Sequence, residues 1–151
     1  MTDFETVPSG SERAAAAMTA YFDELVARFA DGFDVTGAVA AAADAYVPPY
    51  GLFVVAGEPP HACGAVQWLD DDRGEIKRMW VSPERRGQGV ATALLAHLEE
   101  LVRASGRSTV VLDTNEGLTE AIALYERRGY ERVAAYNDNP YAHLWFRKDL
   151  G

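Results

Sequence analysis

Val81-Ser82-Pro83-Glu84-Arg85-Arg86-Gly87-Gln88-Gly89-Val90-Ala91 is the stretch whose reading decides the fold. A strand-like run ends at Val81, a short turn follows, and Gly87 and Gly89 lead directly into an apolar-periodic helix. Glycine lets backbone N–H groups turn inward with no Cβ in the way. The helix N-terminus behind them adds unpaired N–H groups and the positive end of the helix dipole. Together they form a seat for an anionic group such as a phosphate or pyrophosphate. A kinase-type phosphate loop would be longer and end in Lys-Ser/Thr, which is absent here.

Upstream of the loop, Glu75 to Val81 reads as a strand, entered through the hairpin loop Asp70-Asp71-Asp72-Arg73-Gly74. Two earlier strands, Leu52 to Ala56 and Ala62 to Leu69, are joined by Gly57-Glu58-Pro59-Pro60. Downstream, Val90, Leu94, Leu98, Leu101 and Val102 make one buried helix face, with Gly106 as its stop. Thr109 to Leu112 is a β-branched strand, Leu118 to Arg128 a helix closed by Gly129, and Glu131 to Tyr136 and His143 to Arg147 two final strands.

At the start, Phe4 to Pro8 reads as a short strand, and Ser9-Gly10-Ser11-Glu12 has the S-x-x-E form of a capping box. Met18, Tyr21, Phe22, Leu25, Val26 and Phe29 then form an apolar stripe that Gly32 ends. A second, alanine-rich helix is predicted over Thr36 to Tyr46, stopped by Pro48-Pro49. The order β-α-α-β-β-β-α-β-α-β-β predicts an α/β fold: a mixed sheet of six or seven strands flanked by about four helices on both faces.

The 151 residues, 48% hydrophobic and 25% charged, fit one domain over 1–151. A net charge of −9 argues against a nucleic-acid partner. Cys63 is the one cysteine, set in an apolar run, and reads as a buried structural thiol. His61, His97 and His143 do not cluster, so no metal site is expected. The start has no basic region before an apolar run, and no run approaches the ~18 residues of a membrane span, so a cytoplasmic protein without a membrane partner is expected.

The element order and the glycine segment together resemble the GNAT superfamily of acyl-coenzyme A-dependent N-acetyltransferases. The superfamily pattern [RQ]-x-x-G-x-[GA] is matched by Arg86-Gly87-Gln88-Gly89-Val90-Ala91. Ala121-Ile122-Ala123-Leu124-Tyr125-Glu126-Arg127-Arg128-Gly129-Tyr130 resembles its A-x-x-L-Y-x-x-x-G-[FY] helix. A nearer similarity is to bacterial members reading E-I-K-R-M-[YW]-V, L-D-T-N and E-A-I-A-L-Y. Here the corresponding residues are Glu75 to Val81, Leu112 to Asn115 and Glu120 to Tyr125.

The resemblance implies that acetyl-coenzyme A is the donor and a primary amine of a small molecule the acceptor, by direct attack in a ternary complex. It implies that backbone groups near Met79, Trp80 and Val81 bind the pantetheine arm. The pyrophosphate would then sit on amides from Gly87 through Gln88, Gly89 and Val90 to Ala91, beside Arg85 and Arg86. Tyr125 matches the residue that protonates the departing thiolate, and Glu75 is the carboxylate candidate for general base, against a surface pair with Lys77. A bulge of the kind this strand often carries would change which residues share its face. An N–H near Val81 is the expected donor to the developing oxyanion.

Asn115, at a strand end, is a candidate cofactor contact. Arg78 and the loop carrying Tyr136 and Asn137 are candidates for the acceptor. Two alternatives stay open: a protein or peptide N-acetyltransferase, and a non-catalytic acyl-coenzyme A sensor. The resemblance also allows a homodimer.

Overall fold

In the computed structural model, residues 3–28 and 45–151 are described. One mixed sheet of seven strands runs through them in the order β1-β2-β3-β4-β5-β7-β6. The strands are β1 (Glu5–Val7), β2 (Gly51–Ala56), β3 (Ala62–Trp68), β4 (Arg73–Val81), β5 (Thr109–Thr114), β6 (Glu131–Val133) and β7 (Leu144–Asp149). Three helices pack on it: α1 (Glu12–Arg28), α2 (Val90–Ala104) and α3 (Thr119–Arg127). The predicted alanine-rich helix and the stop at Gly32 fall largely outside the described residues; Ala45 and Tyr46, at its predicted end, are in a turn and a bend.

Both sheet faces are covered, which is why β2 reads as an unbroken apolar run. Phe53 and Val55 pack with Met18, Phe22 and Leu25 of α1, whereas Val54 and Ala56 pack with Leu94, Leu95 and Leu98 of α2. Leu124 and Tyr125 of α3 join the α2 side.

The start of α1 corrects the capping-box reading. Ser11, not Ser9, is the cap: its Oγ accepts from the Ala14 N–H at 3.2 Å, and Glu12 is already the first helical residue. Ser9 Oγ instead accepts from the Tyr46 N–H at 3.3 Å, tying the chain before α1 to the segment entering β2. Two serines two residues apart offer the same local signal, and this long-range bond separates them. Ser11→Ala should therefore lower stability by about 1 kcal/mol in urea unfolding, the usual loss when a serine cap is removed.

Two irregularities of β4 shape the site. It pairs in parallel with β5 only at Arg73↔Thr109, Gly74↔Val110 and Glu75↔Val111, so beyond Glu75 the strands part. Toward β3 the register shifts between Cys63 and Ala65, a bulge at which Arg78 takes φ 56°, the left-handed region. Strict alternation would place Ile76, Arg78 and Trp80 on one face. Instead Ile76 packs on the α2 side, while Arg78 and Trp80 turn to the α1 side.

β6 ends at Val133 rather than at the expected Tyr136. Tyr136 leaves the sheet because its hydroxyl donates to Glu75 Oε2 at 2.5 Å.

Candidate active site

The opening between β4 and β5 holds a cleft of two connected cavities. One, of about 330 Å³, runs from the glycine loop past Arg85, Arg86, Gly87, Gly89, Val90 and Ala91 to Met79, Trp80 and Val81. The other, of about 310 Å³, is walled by Lys77, Arg78, Asp113, Asn115, Asn139 and Tyr141. Tyr21, Leu25, Met79, Leu118, Ala121 and Tyr125 line both.

The loop end is built to hold an anion. Gly87 and Gly89 have φ of 77° and 81°, and Gly89 precedes α2 with no side-chain cap on its first turn. A Cβ at either glycine would meet nothing within 4 Å, so it is the backbone conformation that calls for glycine. The N–H groups of the first helical turn are thus left for a ligand. Along the next stretch, β4 from Ile76 to Val81 has no β5 partner, leaving its edge to an extended ligand.

Arg86 donates from Nε to the Val81 carbonyl at 3.1 Å and pairs with Glu24 at 2.5 Å. Glu24 pairs in turn with Arg28 at 3.3 Å, and Arg28 with Glu120 at 3.1 Å. This chain of charges ties the loop, α1 and α3 around the first cavity. An anion seated on the loop competes with Glu24 for Arg86. Gln88 is exposed and donates to the Glu84 carbonyl at 3.2 Å, so its side chain does not line the cleft.

At the junction, the Tyr125 ring packs between Tyr130 and Phe146, with centroids 5.7 and 5.9 Å away. Among the described residues its hydroxyl has one hydrogen-bonding contact, Met79 Sδ at 4.0 Å, a weak acceptor. Burial raises its pKa above the ordinary 10, helped by neighbouring Tyr21 and Asp113, so the proton stays on oxygen at neutral pH. Tyr21, which the sequence shows only as part of an apolar stripe, also faces both cavities, and burial pushes its pKa up to about 12.

Glu75 sits behind the second cavity, 3% exposed and on neither wall. It accepts from Tyr136, pairs with Lys77 at 3.3 Å and lies 3.5 Å from Asn137 Nδ2. The expected Lys77 pair therefore exists, but on a buried carboxylate and not at the surface. Tyr136 and Asn137 also lie off the cavity walls. Burial and the Glu75 charge hold the Tyr136 hydroxyl well above its ordinary pKa.

The carboxylate that does face the second cavity is Asp113, which the sequence reading passed over. It accepts from Asn137 Nδ2 at 2.7 Å and Asn139 Nδ2 at 3.2 Å, and Trp145 Nε1 fixes Asn137 Oδ1 at 2.9 Å. The L-D-T-N run was the available signal, because its aspartate ends a strand that parts from β4. Asn115 is on the same wall, donating to the Tyr141 carbonyl at 2.8 Å and accepting from the Gly117 N–H at 2.8 Å.

Cys63 is fully buried and its pKa is raised by burial, with Sγ donating to the Arg78 carbonyl at 3.2 Å. Among the described residues no group of three or more His, Cys, Asp or Glu could hold a metal ion. None of their helices is long and apolar enough to cross a membrane.

A split sheet, a loop with open N–H groups at one end of the cleft and a protonated tyrosine at its middle make up the candidate site. Comparison with known proteins gives the family: residues 16–130 match the model of the acetyltransferase (GNAT) family. The chain belongs to that family. It is 31% identical over 107 residues to an uncharacterized N-acetyltransferase of Schizosaccharomyces pombe, covering 68% of this chain and 66% of that one.

Across the curated relatives it matches first, the aligned stretch spans between 28% and 66% of their own length. Among solved structures, a GNAT-family acetyltransferase of Staphylococcus aureus superposes with TM-score 0.83 at 12% identity, covering 100% of both chains. An aminoglycoside 6′-N-acetyltransferase complexed with coenzyme A superposes with TM-score 0.71 at 15% identity, covering 98% of this chain and 97% of that one. These likenesses show the GNAT fold.

Proposed function

We propose that the protein transfers an acetyl group from acetyl-coenzyme A to a primary amine of a small molecule, by direct attack when both are bound. The observation that carries this reading is Tyr125, which lines both cavities and whose hydroxyl has, among the described residues, one hydrogen-bonding contact, to a thioether. The fit to the donor rests on the loop cavity. The backbone at Gly87, Gly89, Val90 and Ala91, with Arg85 and Arg86, suits a pyrophosphate, and the free edge of β4 at Met79, Trp80 and Val81 suits a pantetheine arm. That the structural neighbour of the same fold was solved with coenzyme A supports the assignment.

The reaction forms a C–N bond at the thioester carbonyl and breaks its C–S bond. A lysine-like amine of pKa ~10.4 needs roughly 4.6 kcal/mol to reach its neutral form at pH 7, so its proton must have an exit. Asp113 faces the acceptor cavity and Glu75 lies behind Lys77, so the proton leaves to Asp113 or to water, with Glu75 holding Lys77 in place. Tyr125 meets the charge on the departing sulfur and gives it a proton. Cys63, buried and bonded to the Arg78 carbonyl, is not positioned to carry an acyl group, which favours direct attack over a covalent relay.

Thiol release from acetyl-coenzyme A over a panel of small amines and short peptides tests the reading. We expect release that depends on a small amine. Release with peptides alone, or tight acetyl-coenzyme A binding with no turnover, would favour the peptide-acetylating and sensing alternatives in turn.

A further inference from the structure

We propose that the acceptor amine also carries a carboxylate, and that Arg78 is the residue that seats it. The inference rests on the acyl-transfer reading of the same cleft and names the substrate class within it. Its starting point is the β4 bulge. Arg78 is the one non-glycine residue with positive φ among those described, a strained conformation of the kind retained where a side chain must be aimed. The bulge turns Arg78 to the α1 side, where its Cζ lies 4.9 Å from the centre of the Phe22 ring and the residue lines the second cavity.

The surrounding charges are unequally satisfied. Lys77 is paired with Glu75. Asp113 is held by the amides of Asn137 and Asn139, which are neutral donors, so its negative charge has no counter-ion in these bonds. Arg78 pairs with no carboxylate among the described residues, and its buried Nε has no hydrogen-bond partner. A buried guanidinium Nε–H with no acceptor is unfavourable until one arrives, and a carboxylate is the group the planar fork matches.

Among the described residues the cavity therefore offers one cation, Arg78, and one anion, Asp113, that form no ion pair. Its complement is a ligand with a carboxylate and an ammonium on the same small skeleton. A polyamine would satisfy Asp113 but set a second positive charge against Arg78. A plain monoamine would leave Arg78 as it is. An amino carboxylate answers both, placing its nitrogen on the Asp113 side.

The test uses the full chain, saturating acetyl-coenzyme A and matched sets of three acceptors: an α-amino acid, its carboxamide and the corresponding decarboxylated amine. The carboxamide has the more readily neutral amine, so without recognition of the carboxylate it would react faster. We expect kcat/KM to favour the amino acid about 10- to 100-fold for the best skeleton, the range of a hydrogen bond between charged groups. In Arg78→Gln that ratio should fall to one or below, mainly through KM, and Arg78→Lys should restore part of it.

Preference for the carboxamide or decarboxylated amine across all skeletons would overturn the proposal while leaving acyl transfer standing. So would an unchanged ratio in Arg78→Gln. Turnover of no amine at all would overturn the acyl-transfer reading, and this inference with it. If Arg78→Gln does not fold, the wild-type ratios alone decide.

Discussion

Tyr125→Phe should lower kcat by about 100-fold or more, within the range contributed by a positioned proton donor. KM for acetyl-coenzyme A should change little, because the ring keeps its packing against Tyr130 and Phe146 and loses only the hydroxyl. The hydroxyl's one hydrogen-bonding contact among the described residues is to a sulfur, so its removal leaves no strong partner unpaired. Folding should therefore survive, and thermal unfolding checks that it does. The pH profile follows from the same residue. Burial raises the Tyr125 pKa above the ordinary 10, so the proton is in place throughout the physiological range. The rate should rise with pH as the amine becomes neutral and show no fall from tyrosine ionisation below about pH 10.

Truncation of Leu98, which packs over Gly64, should show the largest effect on stability. Leu98 is fully buried at the centre of the α2 side, and Leu98→Ala should destabilise by about 2–5 kcal/mol, as buried leucine truncations do. Gly64→Ala should also destabilise. A Cβ there would stand 2.8 Å from Leu98 Cδ1 and 3.5 Å from Leu94 Cδ1, so the helix side chain would have to move. Combining the two changes places the new methyl where the leucine was removed. The double variant should be less destabilised than the sum of the singles by about 1 kcal/mol or more, read from a denaturant double-mutant cycle. Simple additivity would mean that β3 and α2 are not in the contact described.

The parts of the site legible in the sequence were those carried by local backbone chemistry. Gly87 and Gly89 at a strand-to-helix turn suggest an anion seat, and the structure gives both the positive φ that the turn requires. Strand order was readable because β2 is apolar at every residue and β4 leads straight into the loop. Apart from the Glu75–Lys77 pair, the contacts of Glu75 and Asp113 were not readable. Their partners lie at Tyr136, Asn137 and Asn139, contributed by a loop from 24 to 62 residues away in the chain. No period in either segment encodes that meeting.

The bulge at Arg78 depends on where β3 shifts its register, a property of two strands together, so it was expected only through the family resemblance and not from β4 itself. On α1, Tyr21 read as part of an apolar stripe, and nothing local singled out Glu24 or Arg28. Only the placing of that helix over the open part of the sheet brings all three to the cleft.

The central claim is that donor and acceptor meet in one cleft and react without an acyl-enzyme. An initial-rate matrix, varying acetyl-coenzyme A against the best amine and following thiol release, tests it most directly. We expect double-reciprocal lines that intersect, and no stoichiometric burst of thiol in the absence of amine. Parallel lines with such a burst would show a covalent relay and contradict the account.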